Sequence, residues 1–352
     1  MSINEETLHQ LMGQAVVDIG AAMNAPLILL GDRLGLYKKL AAEGPLTSEE
    51  LATHTSTTER YVREWLGAQA AGGYITYNPD DATYSMSPEQ EMIFANENSP
   101  AFVVGGFQNA YAASQILDRL EDSFTTGEGI GWNEQNHQLF HGTERFFRPV
   151  YLANLVDVWI PALDRVHEKL EKGARVVDIA SGHGAPSVIL AKAYPNSTFI
   201  GFDYHEESVE TANQRAKDAG LDDRLQFKTA SAKEFGDGPY DLAMAFDCFH
   251  DLGDPVGAAR NILANLDRDG SFLIVEPQAG DNVQDNLNPV SRAWYAASTA
   301  FCTPNALSQD VGFALGGQAG EANLRDAVTQ AGFTRFRKAT ENPFNLILEV
   351  KP

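Results

Sequence analysis

Asp178 and Asp203 stand on either side of a turn that carries Gly182 and Gly184. Glycines at that spacing let backbone come close to a ligand. Asp203, nineteen residues beyond Gly184, is where an acid can reach a nucleotide ribose. A dinucleotide fingerprint would place a third glycine three positions after the second, and this chain has Ser187 there. Asp178, four residues before Gly182, would repel a pyrophosphate and attract an ammonium. A ligand with an ammonium, a sulfonium and a ribose but no phosphate satisfies both acids. That describes S-adenosylmethionine better than NAD.

These residues need a strand, a turn, a helix and a second strand to position them. Residues 176–179 are apolar and β-branched, as a buried parallel strand requires. Pro186 suits the first turn of a helix, where its missing N–H is not needed. The apolar run 198–203 ends on Asp203. Here the chain resembles the class I S-adenosylmethionine-dependent methyltransferases, whose motif runs acid-x-Gly-x-Gly-x-Gly. Ala180 stands at the first glycine position, with Gly182 and Gly184 at the other two. The resemblance implies an α/β fold with a Rossmann-like seven-stranded sheet, and a cofactor site on Asp178, Ala180, Gly182, Gly184 and Asp203.

Beyond Asp203 the α/β alternation continues. Helices are expected at 206–219, 255–266 and 321–331, and strands at 225–228, 241–246 and 271–275. The runs 333–338 and 344–350 read as a final antiparallel pair. Repeated βα units imply a parallel sheet, and ligands of open sheets bind beyond the strand C-termini.

His250 lies on that edge, in the run Phe246-Asp247-Cys248-Phe249-His250-Asp251 after the fourth strand. The run resembles the winged-helix O-methyltransferases, in which a His-Asp pair after this strand supplies the base. That resemblance assigns the base to His250, with Glu276 at the end of the fifth strand as the group that orients its imidazole. Methyl transfer to a hydroxyl needs a proton removed as the C–O bond forms, and histidine can take it near neutral pH. A packing or turn-capping His250 is the competing reading. On the cofactor side, Tyr204, Ala230, Ser231, Phe246, Asp247 and Phe249 are the remaining candidates. Many methyltransferases place an acid after the third strand for the adenine amino group, whereas this chain has Ser231 there, with Lys233-Glu234 just beyond. Cys248 has no cationic neighbour in sequence and reads as packing.

Residues 280–320 form an insertion with Asn286-Leu287-Asn288-Pro289 and Leu307-Ser308-Gln309. It resembles a group of bacterial winged-helix methyltransferases that share those two runs. Its place suggests a lid, with Trp294, Tyr295 and Phe301 as wall residues, or else a surface-packed helical pair. Trp132 and Phe147, from an aromatic-rich helical stretch at 101–165, are further candidates for the acceptor pocket. The run 127–132 is glycine-rich enough to form a loop beside it.

The N-terminal hundred residues read as helices at 1–23, from Pro26 to 40, at 47–53 and at 57–71, then a hairpin over 74–86. Helix, helix, helix, hairpin is a winged-helix pattern. Five Lys/Arg stand against fourteen Asp/Glu in this part, and the whole chain carries a net charge of −22. Phosphate neutralisation drives DNA affinity, so nucleic acid is an unfavourable partner. The apolar first helices suit dimerisation instead. The expected domains are 1–100 for the winged helix, 101–165 for a helical linker and pocket wall, and 166–352 for catalysis.

No basic leader and no continuous apolar run of membrane-spanning length stands out, which argues against a membrane. The two cysteines, Cys248 and Cys302, fit a reducing cytoplasm. No metal-ligand spacing is evident among the eight histidines. The reading is therefore a cytoplasmic homodimeric methyltransferase acting on a small-molecule hydroxyl. A nitrogen, carbon or sulfur acceptor, or a ligand-binding regulator, are the alternatives.

Overall fold

The computed structural model describes residues 3–352, which divide into two compact units. The chain up to Ala112 forms the first, together with His141–Val150. Ala113–Phe140 and Tyr151–Pro352 form the second. The stretch 101–165 is thus shared between them and is not a single linker.

The first unit begins with helix α1 (Glu5–Arg33), capped by Asn4. The expected break at Pro26 does not occur. Ile28 and Leu29 are buried, and Trp65 Nε1 donates to the Leu27 carbonyl at 2.8 Å, so packing holds the helix through the proline. It ends instead at Arg33, two residues before Gly35, whose φ of +69° continues no helix. Helices α2 (Leu36–Glu43), α3 (Ser48–Thr55) and α4 (Glu59–Ala71) follow. Thr47 and Glu50 form the capping box that the sequence predicts for α3. Strands β1 (Thr76–Asn78) and β2 (Thr83–Ser85) pair as the hairpin. Tyr37, Leu40, Leu51, Trp65 and Leu66 fill the core. The guanidinium of Arg145 grips Asp32 with two hydrogen bonds, at 2.8 and 3.0 Å, which ties His141–Val150 to this unit.

Much of α1 is not covered by its own unit. Leu11, Met12, Val16, Val17, Ile19 and Met23 are all more than half exposed. By length and composition α1 is apolar enough to cross a membrane, with a mean hydropathy of 1.4 over its best window. Asp18 interrupts the apolar residues, so the run is not continuous, as the sequence reads, although the helix average stays high.

The second unit is built on a seven-stranded sheet of order β5-β4-β3-β6-β7-β9-β8. Its strands are β3 (Arg175–Ile179), β4 (Thr198–Asp203), β5 (Leu225–Thr229), β6 (Tyr240–Phe246), β7 (Leu266–Pro277), β8 (Arg335–Glu341) and β9 (Asn345–Lys351). The first five are mutually parallel, and β9 runs antiparallel to both β7 and β8. Strand order reverses beside β3, which has β4 on one side and β6 on the other. In such sheets that reversal opens a crevice at the strand C-termini. β7 is longer than predicted because it gains an irregular lead-in, pairing Leu266 with Tyr240 before the regular register resumes at Ser271. Val177, Ile179, Ala243, Ala245, Phe272 and Ile274 lie at the centre of the core.

Candidate active site

Asp178 is the fourth residue of β3 and is flanked by Gly201 and Met244 on the neighbouring strands, so it is buried. Its Oδ2 accepts a 2.7 Å hydrogen bond from Ser187. Burial pushes the carboxyl up to about 7, the Ser187 bond opposes this, and the charge of Asp203 adds to it. Ser187, read in sequence only as a missing glycine, is therefore the hydroxyl partner of the first acid.

The turn that follows is left-handed at three points: Ala180 with φ +52°, Gly182 with φ +50° and Gly184 with φ +76°. The glycines do different work. A Cβ on Gly182 would meet nothing within 4 Å, so that position faces open space. A Cβ on Gly184 would lie 2.4 Å from the Phe227 ring, so that glycine serves packing. Beside them the Ser181 hydroxyl is buried and makes no hydrogen bond.

Asp203 closes the cradle. Its two oxygens accept from the backbone N–H of Gly182 and of His205, each at 2.8 Å. Burial raises its pKa, against the pull of both N–H groups. One carboxylate thus fixes the glycine loop to the end of β4. Tyr204 next to it donates to Asn305 Oδ1 at 3.4 Å. Ala230 donates its N–H to the Asp203 carbonyl at 3.0 Å, and Ser231 donates to Glu234 at 3.0 Å. Ser231 is spent locally.

At the end of β6, Asp247 takes φ +49° and accepts hydrogen bonds from Tyr151 at 2.6 Å and Asn345 Nδ2 at 3.2 Å. Burial pushes its carboxyl up to about 8, with Glu276 and Asp251 adding and Tyr151 and His250 opposing. Phe246 packs against the Tyr151 ring at 5.3 Å. Phe249 departs from the expectation of a cofactor contact. It is fully buried in the sheet core with its ring edge-on to Phe272, because the turn after Asp247 points it inward.

His250 and Glu276 meet as predicted. Glu276 Oε2 holds His250 Nδ1, while Oε1 accepts from the backbone N–H of Phe249 at 2.8 Å and of His250 at 3.4 Å. Both residues are buried. Burial disfavours the imidazolium, but the Glu276 charge outweighs it and holds the His250 pKa well above the ordinary histidine value, with Cys302 adding to the effect.

Cys302 comes from the insertion. Val283–Asn286 is a short 3₁₀ turn, Pro289–Ala297 a helix, Ser298–Cys302 a π-helical turn, and Thr303–Leu307 a helical continuation. Helix Pro289–Ala297 carries Trp294 and Tyr295, and Phe301 is buried in the π-helical turn. Asn305, also buried, accepts from the Trp132 N–H at 3.0 Å and from Tyr204, and donates to the Asp251 carbonyl at 3.3 Å. It thereby ties the loop at Trp132, Tyr204 after β4 and the turn that carries His250 together. Phe147 lies in the first unit. Sequence reading passed over Tyr151, Ser187, Asp251, Cys302 and Asn305 as site residues. Only the Asn-Leu-Asn-Pro and Leu-Ser-Gln runs flagged the insertion at all.

Two families match this chain. Residues 170–326 match a family described as a methyltransferase domain, and residues 22–95 match an Rv2258c-like winged HTH domain. Among curated proteins, 27-O-demethylrifamycin SV methyltransferase of Amycolatopsis mediterranei is 34% identical over 119 residues. That stretch is 32% of this chain and 43% of the relative, so the chain spans under half of the relative's length. Two solved structures share the fold across nearly the whole chain. Mitomycin 7-O-methyltransferase MmcR has a TM-score of 0.69 at 20% identity, covering 99% of this chain and 100% of its own. Human N-acetylserotonin methyltransferase, solved with S-adenosylmethionine, has a TM-score of 0.66 at 17% identity, covering 100% and 99%. Residues 170–326 of this chain thus match a methyltransferase domain, preceded by a match to an Rv2258c-like winged helix-turn-helix domain over 22–95.

Proposed function

We propose that this protein transfers a methyl group from S-adenosylmethionine to a hydroxyl or phenol of a small molecule, with His250 as general base. One observation carries the reading. The cradle of Asp178, Gly182 and Asp203 and the dyad of His250 and Glu276 stand at the C-terminal ends of adjoining strands of one parallel sheet.

The residues fit the cofactor. The influences on Asp178 are burial, a serine hydroxyl and a second carboxylate, with no cation among them. An ammonium placed there would relieve the buried acid, whereas a phosphate would be repelled. Asp203 keeps lone pairs for ribose hydroxyls beyond its two backbone donors. Gly182 leaves room for close approach, and the unpaired Ser181 hydroxyl has a hydrogen bond to offer. When bound, S-adenosylmethionine supplies a sulfonium methyl open to in-line attack. Tyr204, Ala230 and Ser231 border the adenosine end, and Asp247 and Phe246 border the methionine end.

Glu276 fixes the imidazole so that Nε2 receives the acceptor's proton. Holding acceptor and methyl in line contributes most of the acceleration, because positioning can remove several kcal/mol of the barrier. Trp294, Tyr295 and Phe301 wall the acceptor. The names of the mitomycin and rifamycin enzymes favour oxygen over nitrogen, carbon or sulfur.

Titration calorimetry with S-adenosylhomocysteine tests the cofactor assignment, with NADH and Asp178→Ala as controls. Binding of the first ligand alone, lost in the variant, is expected. Its failure to bind sinks the reading.

A second copy of this chain is the partner we assign to the exposed apolar face of α1, which makes the winged helix at 1–100 a dimerisation domain of a cytoplasmic enzyme. The acidic balance of that domain favours this over nucleic acid. Light scattering should give a dimer mass for the wild type and a monomer mass for Val16→Glu/Val17→Glu.

A further inference from the structure

Glu276 commits one nitrogen of His250 and leaves the other. With Nδ1 held by a buried carboxylate, Nε2 is the nitrogen left to bind a further ligand once its proton is displaced. Two other ligand-forming groups lie beside the ring. Asp251 is the next residue in the base-bearing turn, and Cys302 is delivered by the π-helical turn of the insertion. One ligand atom from each of His250, Asp251 and Cys302 lies within 4.8 Å of the other two. The linear separations, one residue and fifty-one, match no familiar metal motif, and only the fold assembles them.

The chemistry of this set is specific. An imidazole nitrogen, a thiolate and a carboxylate oxygen together select zinc-class divalent cations over calcium or magnesium, which prefer oxygen alone. An imidazole ligand whose second nitrogen donates to a carboxylate is the outer-sphere arrangement that orients metal-bound histidines, and Glu276 provides it. Three protein ligands leave a fourth position for water or another small donor. Irregular π-helical turns like the one presenting Cys302 occur often at functional sites.

We propose that His250, Asp251 and Cys302 form a three-ligand site for a zinc-class cation, with Glu276 orienting the histidine. Binding forms metal–sulfur, metal–nitrogen and metal–oxygen bonds and releases to solvent the Cys302 thiol proton together with any proton on His250 Nε2 and on the Asp251 carboxyl. It also takes the Nε2 lone pair that base catalysis needs. The metal-loaded and base-active states therefore exclude one another, and the cation acts as a reversible inhibitor at the acceptor end of the site. This last consequence rests on the base assignment above, whereas the site itself does not.

Cobalt(II) added to the full-length, metal-stripped protein tests the site without reference to activity. A thiolate-to-cobalt charge-transfer band is expected, with the intense visible absorption of four-coordinate cobalt. Cys302→Ser should abolish the charge-transfer band. Cys248→Ser should keep it, because Cys248 is buried with its Sγ 3.5 Å from the Ile179 carbonyl. Absence of the band in wild type, or its loss with Cys248 and not with Cys302, overturns the site. A second measurement needs no variant: stoichiometric zinc should slow alkylation of Cys302 at least tenfold, read by peptide mass spectrometry, and an unchanged rate overturns the proposal. If both experiments succeed and zinc leaves methyl transfer unaffected, the site stands and the base assignment to His250 falls.

Discussion

Glu276 holds His250 at two points, with one carboxylate oxygen on the ring nitrogen Nδ1 and the other on the backbone N–H groups of Phe249 and His250. The same side chain fixes the His250 ring and the path of the turn that carries it. Removing the charge and removing the contact should therefore have different effects.

In Glu276→Gln the shape is kept and the charge is lost. Because the carboxylate favours the imidazolium, its loss lowers the His250 pKa. The acid limb of the kcat/KM profile should move to lower pH, while the plateau falls because the base is weaker. His250→Ala should lower kcat by about two to four powers of ten with S-adenosylhomocysteine affinity intact. A limb that stays in place in Glu276→Gln removes the dyad from proton transfer.

Ala180 and Gly184 make opposite predictions. Ala180 holds φ +52°, a region that disfavours an L side chain by about 1–2 kcal/mol. Ala180→Gly should raise stability by roughly 0.5–1 kcal/mol once the added freedom of the unfolded chain is subtracted. Gly184→Ala puts a methyl 2.4 Å from the Phe227 ring at φ +76° and should cost more than about 2 kcal/mol. Urea unfolding of the two variants decides both.

The buried acids predict how stability depends on pH. Asp178 and Asp251 have pKa values near 7 and Asp247 near 8, each pushed up chiefly by burial. Unfolded, these groups titrate near about 4. Between those limits the folded chain holds more protons than the unfolded chain, so stability falls as pH rises through the window. His250, raised by Glu276, acts in the same direction above its ordinary value. The ligand-free protein should melt lower at about pH 8 than at about pH 5.5. Asp178→Asn should flatten that slope by removing one of the titrating groups.

Asn305 joins three segments with one side chain. Asn305→Ala should leave the Trp132 N–H without its acceptor, a loss of about 1–3 kcal/mol in local stability. Limited proteolysis should then open 127–132 and 303–309 first, with KM for the acceptor rising more than kcat falls.

Local chemistry was the legible part of this chain. The Thr47 and Glu50 capping box, the β3 turn and the βα alternation each depend on residues a few positions apart, so spacing alone reveals them. The His250 and Glu276 pairing was legible because both follow strands that end on one edge. What stayed hidden depends on distance in sequence. Trp65 holds α1 through Pro26 from thirty-eight residues beyond Leu27, so the proline looked like a break. Cys302 reaches His250 through an insertion whose path no periodicity describes. Phe249 looked like a ligand contact because it follows the same strand end as Asp247, but the structure buries it in the core.

The position of β9 has a consequence for synthesis. It is last of the nine strands in sequence, yet it lies between β7 and β8 and supplies Asn345 to Asp247 and Glu349 to Ser271. While the ribosome is still making residues 278–344, β7 has an open hydrogen-bonding edge and the Asp247 turn lacks one of its donors. A nascent chain in that interval presents an apolar strand to its neighbours, the condition under which edge-to-edge aggregation competes with folding. Slow translation through the insertion would lengthen that exposure, and a chaperone that shields strand edges would shorten it.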